Sequence, residues 1–126
     1  VAEELAMPYA YVRPKPKDHG MKNQIEGELP EGSKVVVVED LISTGGSSLK
    51  AVAALREAGF EVVGMVASYT YGFPVAEEAF KEANVQLVTI TDYQSVVEKA
   101  LETGYINKED VPMLDEWRKD PANWKK

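Results

Sequence analysis

One stretch of the chain decides the fold: four valines, two acids and a glycine-rich turn. It reads Val35-Val36-Val37-Val38-Glu39-Asp40-Leu41-Ile42-Ser43-Thr44-Gly45-Gly46-Ser47-Ser48. A continuous β-branched run is typical of a strand that is buried on both faces of a parallel sheet, so we predict that this strand is central. Apolar residues then recur at helical spacing until Gly59, which predicts that a helix follows the turn directly and ends at that glycine.

Strand and helix patterns alternate along the rest of the chain. Apolar runs predict strands at 9–13, 62–71 and 85–90. Pro74 opens a helix with an inner face of Val75, Ala79, Phe80 and Ala83. A capping pattern of Thr91 and Gln94 precedes a helix that buries Val96, Val97, Ala100 and Leu101, and Asp110 caps a last helix over 111–119. This order predicts an α/β fold with a parallel, Rossmann-like sheet and right-handed crossovers.

Length and composition limit the functional classes. The chain has 126 residues, of which 44% are hydrophobic, so we expect one domain over 1–126. Its formal net charge of −7 argues against partners that are polyanions, namely nucleic acid and anionic membranes. The absence of cysteine excludes disulfides, thiolate metal sites and cysteine nucleophiles, and it suits the cytoplasm. No apolar run is long enough to span a membrane.

A long segment before the valine run carries most of the positive charge. Residues 14–33 contain three prolines and no sustained period, so we predict a functional loop without regular structure, apart from a hairpin near 25–29. Four bases against one acid give residues 13–22 a net charge of +3, which leaves −10 for the remainder. The chain also starts inside an amphipathic pattern at 1–6 that has no N-cap, and we therefore expect a fragment of a longer protein.

The turn after the valines has the chemistry of a phosphate site. Gly45 and Gly46 permit close backbone approach, and the amides at the helix start, with the hydroxyls of Thr44, Ser47 and Ser48, can surround a phosphate dianion. Glu39 and Asp40 repel phosphate, so their partners would be sugar hydroxyls or a magnesium ion. A tight turn with Ser47 as a helix cap is the alternative, but two adjacent acids at a strand end favour a ligand.

The run from Val36 to Ser48 resembles the phosphoribosyl pyrophosphate (PRPP) signature of type I phosphoribosyltransferases, in which hydrophobic residues, two acids and a Thr-Gly turn follow in this order. The segment Arg13-Pro14-Lys15-Pro16-Lys17-Asp18-His19-Gly20 is similar to the catalytic loop of the orotate phosphoribosyltransferase family. The acidic, tryptophan-containing tail from Asp115 to Trp124 also resembles bacterial members of that family.

The resemblance implies a parallel-sheet type I fold and a reaction. Ribose 5-phosphate would pass from PRPP to orotate, giving orotidine 5′-phosphate and diphosphate, with Mg²⁺ bound mainly through PRPP. It implies that a catalytic loop at about 14–33 closes over the site, that the PRPP motif covers 35–48, and that two copies form a homodimer. Lys17, His19 and Asp40 would be catalytic, and Thr44 would contact orotate. The residues expected to bind PRPP are Arg13, Lys15, Lys17, His19, Glu39, Asp40, Leu41, Ile42, Ser43, Thr44, Gly45, Gly46 and Ser47.

Some features depart from the family pattern. Members carry strands, a pyrophosphate loop and a lysine upstream of the position of Val1, so we expect this chain alone to be weakly active or inactive. Some members have an arginine after the second strand, where this chain has Thr70-Tyr71-Gly72. Tyr69, Tyr71 and Phe73 could pack in the core or stack on a base, whereas Trp117 and Trp124 are expected to pack.

Two other functions are compatible with the same residues. A PRPP-binding regulatory protein of this fold would bind PRPP without catalysing a reaction. Such a protein would also bind nucleic acid, and the net charge of −7 argues against that partner. A receiver domain with an acidic pocket would place its acceptor aspartate at a strand end, but it needs no Thr-Gly-Gly turn. Binding of PRPP, of DNA or of an acyl-phosphate mimic distinguishes the three.

Overall fold

The structure is a computed structural model that describes residues 1–15 and 24–125. A two-stranded antiparallel ribbon comes first, formed by β1 (Ala10–Val12) and β2 (Ile25–Gly27), with Tyr11 opposite Glu26. The strand at 25–27 falls within the stretch 25–29 where the sequence predicts a hairpin, and its partner is β1. These residues return to pair with the strand that precedes the predicted loop, which makes the loop the connection of a hairpin.

The main sheet has three parallel strands, β3 (Lys34–Ile42), β4 (Glu61–Thr70) and β5 (Leu87–Asp92), in the order β3-β4-β5. In the sheet that the described residues form, β4 is central and β3 lies at the edge, so the prediction that the valine run is central does not hold for this sheet. Side chains alternate along β3, and Val36 and Val38 are each about half exposed. A run of apolar residues indicates that both faces of a strand can be buried. It does not show that other elements cover both faces of the sheet.

Four helices follow the predicted order. They are α1 (Gly46–Glu57), α2 (Pro74–Glu82), α3 (Tyr93–Glu102) and α4 (Val111–Lys119), with short 3-10 turns at Lys108–Asp110 and Pro121–Asn123. Gly59 has φ 91°, and the amides of Gly59 and Phe60 donate to the carbonyls of Arg56 and Leu55. This is a Schellman motif, so the predicted glycine stop of α1 is confirmed.

Some details of the helices differ from the predictions. Val75 of α2 and Val96 of α3 are exposed, whereas Phe80 of the predicted inner face is buried, together with Ala76. The cap of α3 is Asp92 rather than Thr91: Asp92 Oδ1 accepts a hydrogen bond of 2.8 Å from the amide of Ser95. β5 extends to Asp92, which places Thr91 inside the strand and leaves the carboxylate of Asp92 at the helix start.

One hydrophobic core lies between a single face of the sheet and the helices. Ile42, Val52 and Met65 are the most deeply buried large side chains, and they come from β3, α1 and β4. Phe73 and Phe80 extend this core towards the carboxyl ends of the strands. Right-handed crossovers from β3 to β4 and from β4 to β5 place α1 and α2 on the same face, which accounts for the one-sided burial.

The amino-terminal residues form hydrogen-bonded turns. The amide of Met7 donates to the carbonyl of Ala2, the amide of Ala6 donates to that of Glu3, and Ala6 has φ 52°. This pattern is that of a helix C-terminus, in agreement with the helix end predicted at 1–6. In the described part of the chain, no helix is long and apolar enough to cross a membrane.

Candidate functional site

The two acids at the end of the valine run point to opposite sides of β3. Glu39 is partly buried on the side of α1, where its Oε1 accepts a hydrogen bond of 3.1 Å from the hydroxyl of Ser48. Asp40 is exposed, and its Oδ1 accepts a hydrogen bond of 2.7 Å from the amide of Leu41. The two carboxylates therefore do not share one cation in this arrangement, and Asp40 is the acid that can meet a ligand without rearrangement.

The glycine-rich turn joins β3 to α1 at the carboxyl end of the sheet. Gly45 has φ 82°, a left-handed conformation that favours glycine, and its carbonyl accepts the amide of Leu49 at 2.9 Å. Among the described residues, no side chain makes a capping hydrogen bond to the start of α1. The amides of Gly46, Ser47 and Ser48 belong to the first turn of the helix, where the helix itself offers no acceptor. The alternative in which Ser47 caps the helix is therefore wrong, and the turn presents amides, a positive dipole end and exposed hydroxyls to an anion.

The residues of this turn that are predicted to bind PRPP differ in the exposure of their side chains. Ser43, Thr44 and Ser47 are exposed. Ile42 is only 1% exposed and belongs to the core, so it could contribute only backbone atoms to a ligand. Ser48, which we expected beside the phosphate, is 2% exposed and donates its hydroxyl to Glu39. The burial of Ser48 follows from its position on the inner face of α1, and its hydroxyl serves to hold the acid.

A second contact, between Phe80 of α2 and Gly45, restricts the same turn. A Cβ atom added to Gly45 would lie 2.7 Å from Cε2 of Phe80, so the ring of α2 packs directly against the turn. The sequence analysis did not find this contact, although Phe80 was assigned to the core. Gly45 is therefore required for two independent reasons, its left-handed backbone and the lack of space beside it.

Two of the predicted basic residues lie in the described part of the loop. Arg13 follows β1, and its Nε lies 2.6 Å from Oε1 of Glu26 as an ion pair whose geometry does not make a hydrogen bond. The backbones of Arg13 and Gln24 are also joined, since the amide of Arg13 donates to the carbonyl of Gln24 at 2.7 Å. Lys15 is exposed. β1 contacts α1, which brings the base of the hairpin beside the helix that starts at the turn.

The remaining loop residues of the prediction lie outside the described residues. These are Lys17 and His19, with their neighbours Asp18, Gly20 and Lys22. Their assignment to the catalytic loop stays a prediction.

An aromatic cluster occupies the region after β4. Tyr71 stacks on Phe73 with ring centroids 5.1 Å apart, and Trp117 meets both rings edge-on. Burial raises the pKa of Tyr69 and of Tyr93 above the ordinary tyrosine value. The sequence left open whether these rings pack in the core or stack on a base. In the structure, Tyr71 and Phe73 pack against Trp117 of α4. The predicted packing role of Trp117 is confirmed.

Arg118 joins α4 to the segment between β4 and α2. Its Nε donates to the carbonyl of Tyr71 at 3.1 Å, and its Nη2 donates to that of Gly72 at 3.2 Å. The sequence analysis missed this residue because 46 positions separate Arg118 from Gly72. The one signal in the sequence was the pairing of Trp117 with an adjacent arginine in a helix that follows the aromatic stretch.

The described residues do not form a protein cage for a metal ion. Among residues 1–15 and 24–125, no cluster of three or more His, Asp or Glu side chains is placed to hold a metal. Mg²⁺ usually keeps several waters and binds through one or two carboxylates together with substrate phosphates. The exposed carboxylate of Asp40 fits an ion that arrives with a diphosphate.

Comparison with known proteins agrees with this geometry. The family model described as phosphoribosyl transferase domain matches residues 1–103. The orotate phosphoribosyltransferase of Phocaeicola vulgatus is 71% identical over 124 residues, which cover 98% of this chain and 58% of that protein. The chain thus spans somewhat more than half the length of such curated relatives.

Solved structures give the same result. The crystal structure of orotate phosphoribosyltransferase from Aeropyrum pernix superposes with a TM-score of 0.71 at 34% identity, covering 84% of this chain and 57% of that one. The Mycobacterium tuberculosis enzyme in complex with PRPP superposes with a TM-score of 0.58 at 31% identity, covering 70% of this chain and 49% of that one.

Proposed function

Since the chain belongs to the phosphoribosyl transferase domain family, we propose that it carries the PRPP site of an orotate phosphoribosyltransferase. In that reaction orotate attacks the anomeric carbon of PRPP, the bond from that carbon to diphosphate breaks, and orotidine 5′-phosphate forms. This reaction is one step in the synthesis of pyrimidine nucleotides. The similarity to a protein named orotate phosphoribosyltransferase at 71% identity supports the choice of orotate within the family.

One observation carries the proposal: the exposed carboxylate of Asp40, the left-handed Gly45 and the uncapped start of α1 follow one another within residues 40–46, at the end of β3. The amides of Gly46 and Ser47 would hold the 5-phosphate, and the exposed hydroxyls of Thr44 and Ser47 would add to them. The carboxylate of Asp40 would accept hydrogen bonds from the ribose hydroxyls. A sugar phosphate offers both kinds of group at once, whereas a free phosphate would leave the acid opposed to an anion.

The chemistry calls for cations near the leaving group. Bond breaking develops positive charge on the ribose ring and negative charge on diphosphate, so positive side chains lower the barrier. Arg13 and Lys15 lie at the base of the loop and would serve this role together with Lys17 and His19. Arg13 would exchange its ion pair with Glu26 for the diphosphate. Thr44, exposed at the turn, would contact orotate. Loop closure would also exclude water.

Mg²⁺ would enter the site bound to PRPP. Of the two acids at the end of β3, Asp40 is the exposed one and could contact the ion. We also propose a homodimer and a cytoplasmic location. The homodimer rests on the family resemblance alone, and the location is supported by the lack of cysteine.

The test is a calorimetric titration of PRPP with Mg²⁺ into the wild type and into Asp40→Asn. The asparagine keeps an oxygen for the amide of Leu41, so the turn should retain its fold while losing the charge that faces ribose. We expect at least about a tenfold weaker affinity, since hydrogen bonds to a charged group contribute about 1.5–3 kcal/mol.

Glu61→Gln is the matched control, because Glu61 is an exposed acid at the opposite end of the sheet. Its affinity for PRPP should equal that of the wild type. Equal affinity of Asp40→Asn and the wild type would contradict the role of Asp40, and a wild type that binds no PRPP would contradict the proposed function.

A further inference from the structure

Arg118 makes a bridge that the proposed reaction does not use. Its guanidinium is partly buried, donates to two successive carbonyls, those of Tyr71 and Gly72, and lies 5.5 Å from the ring centroid of Tyr93. These carbonyls lie just beyond the end of β4, where the ladder no longer supplies partners. A planar guanidinium can serve both acceptors in one fixed geometry, which a lysine ammonium cannot do.

The conformation of Gly72 is adapted to this bridge. Gly72 has φ 63°, and a Cβ atom at this position would lie 3.0 Å from Nη2 of Arg118. The amide of Gly72 also bonds to Oγ1 of Thr70 at 3.1 Å. The segment from Thr70 to Phe73 is therefore held in one conformation by contacts with α4 and with its own strand.

This segment is linked at two points to the turn at 44–48, here called the phosphate turn: directly to Ile42, which precedes it, and through α2 to Gly45. The amide of Tyr71 donates to the carbonyl of Ile42 at 3.1 Å, directly before the turn. Phe73 starts α2, since its carbonyl accepts the amides of Ala76 and Glu77, and α2 places the ring of Phe80 against Gly45. The position of the segment thus bears on Ile42, which precedes the turn, and on Gly45 within it.

We propose that Arg118 is a positioning residue for the phosphate turn, acting through the segment between β4 and α2. Helix α4 then belongs to the PRPP site although it contacts no ligand. The inference rests on the proposed function only where PRPP is the probe. Loss of the two hydrogen bonds would let Tyr71 and Gly72 move, and the turn would lose its support from Ile42 and Phe80.

The chain offers a matched control for this bridge. Arg56, in the last turn of α1, also donates to two successive carbonyls, those of Ala83 and Asn84 at 2.6 and 3.2 Å. Those carbonyls lie three and four residues beyond Phe80, just after the end of α2. Arg56→Met therefore removes the same kind of interaction while leaving the hydrogen bond between Tyr71 and Ile42 in place.

The first measurement needs no ligand. In amide proton–nitrogen spectra, Arg118→Met should shift the resonances of Gly45 and Gly46, and Arg56→Met, which leaves the contact with Ile42 in place, should shift them clearly less. Arg118→Lys keeps the charge but not the paired donors, and it should shift them in the same direction by a smaller amount. Unchanged Gly45 and Gly46 resonances in both Arg118 variants would overturn the inference, whatever the protein binds.

The second measurement is the affinity for PRPP with Mg²⁺, taken well below the unfolding midpoint of each variant. Arg118→Met should weaken binding by about tenfold, because small displacements of positioning groups are costly, and Arg56→Met should change it less than about twofold. Equal losses in the two methionine variants would show general destabilisation and overturn the inference. A wild type that binds no PRPP would contradict the proposed function, while the spectra would still decide the role of Arg118.

Discussion

Gly45 shows how much a single residue of this site is constrained. Its left-handed backbone starts α1, and the ring of Phe80 fills the space where a side chain would begin. The sequence predicted the first constraint from the Thr-Gly-Gly pattern. It could not predict the second, because the contact joins residues 35 positions apart whose distance depends on the packing of α2.

Gly45→Ala tests both constraints at once. A left-handed alanine costs about 1–2 kcal/mol, and overlap with Phe80 adds about 1–3 kcal/mol. Gly59→Ala is the matched control, since Gly59 has φ 91° and no atom within 4 Å of an added Cβ. Urea unfolding should show the larger loss for Gly45→Ala. Equal losses would mean that Phe80 does not restrict the turn.

At the scale of elements, the order of strands and helices was predictable, but their surroundings were not. The valine run predicted β3, and the glycine stop predicted the end of α1, because both signals are local. Whether a strand is central depends on distant segments, and β3 lies at the edge with Val36 and Val38 half exposed. The cap of α3 moved by one residue because β5 continues to Asp92.

The cap of α3 makes a prediction about pH. Hydrogen bonds from the backbone and side chain of Ser95 lower the pKa of Asp92 below its ordinary value of 3.8. The folded state therefore favours the carboxylate, so its contribution to stability is present above pH 3.8 and is lost as the pH falls through the lowered pKa.

Asp92→Asn keeps a capping oxygen but does not titrate. Thermal unfolding at pH 7 should give a higher midpoint for the wild type, and the difference should shrink towards pH 3. Comparison of the two proteins cancels the titration of the other carboxylates. A difference that does not depend on pH would contradict the assignment of Asp92 as a charged cap.

At the scale of the whole molecule, charge and sheet geometry point to the same edge. The net charge of −7 conceals a +3 segment at 13–22, whose base is held by the pairing of β1 with β2. The hairpin lies against α1, the helix that begins at the phosphate turn. The motifs indicated the candidate site because its proposed ligand groups are close in sequence. Arg118 could not be found this way, since only the tertiary fold brings α4 to the end of β4.

The central claim is that the turn at 44–48 holds the phosphate of a phosphorylated ribose. The most direct measurement follows the amide proton–nitrogen resonances of the protein during a titration with ribose 5-phosphate. We expect saturable shifts that are largest at Gly45, Gly46 and Ser47, because their amides would surround the phosphate. Shifts that are largest elsewhere, or no saturable shift in this turn, would contradict it.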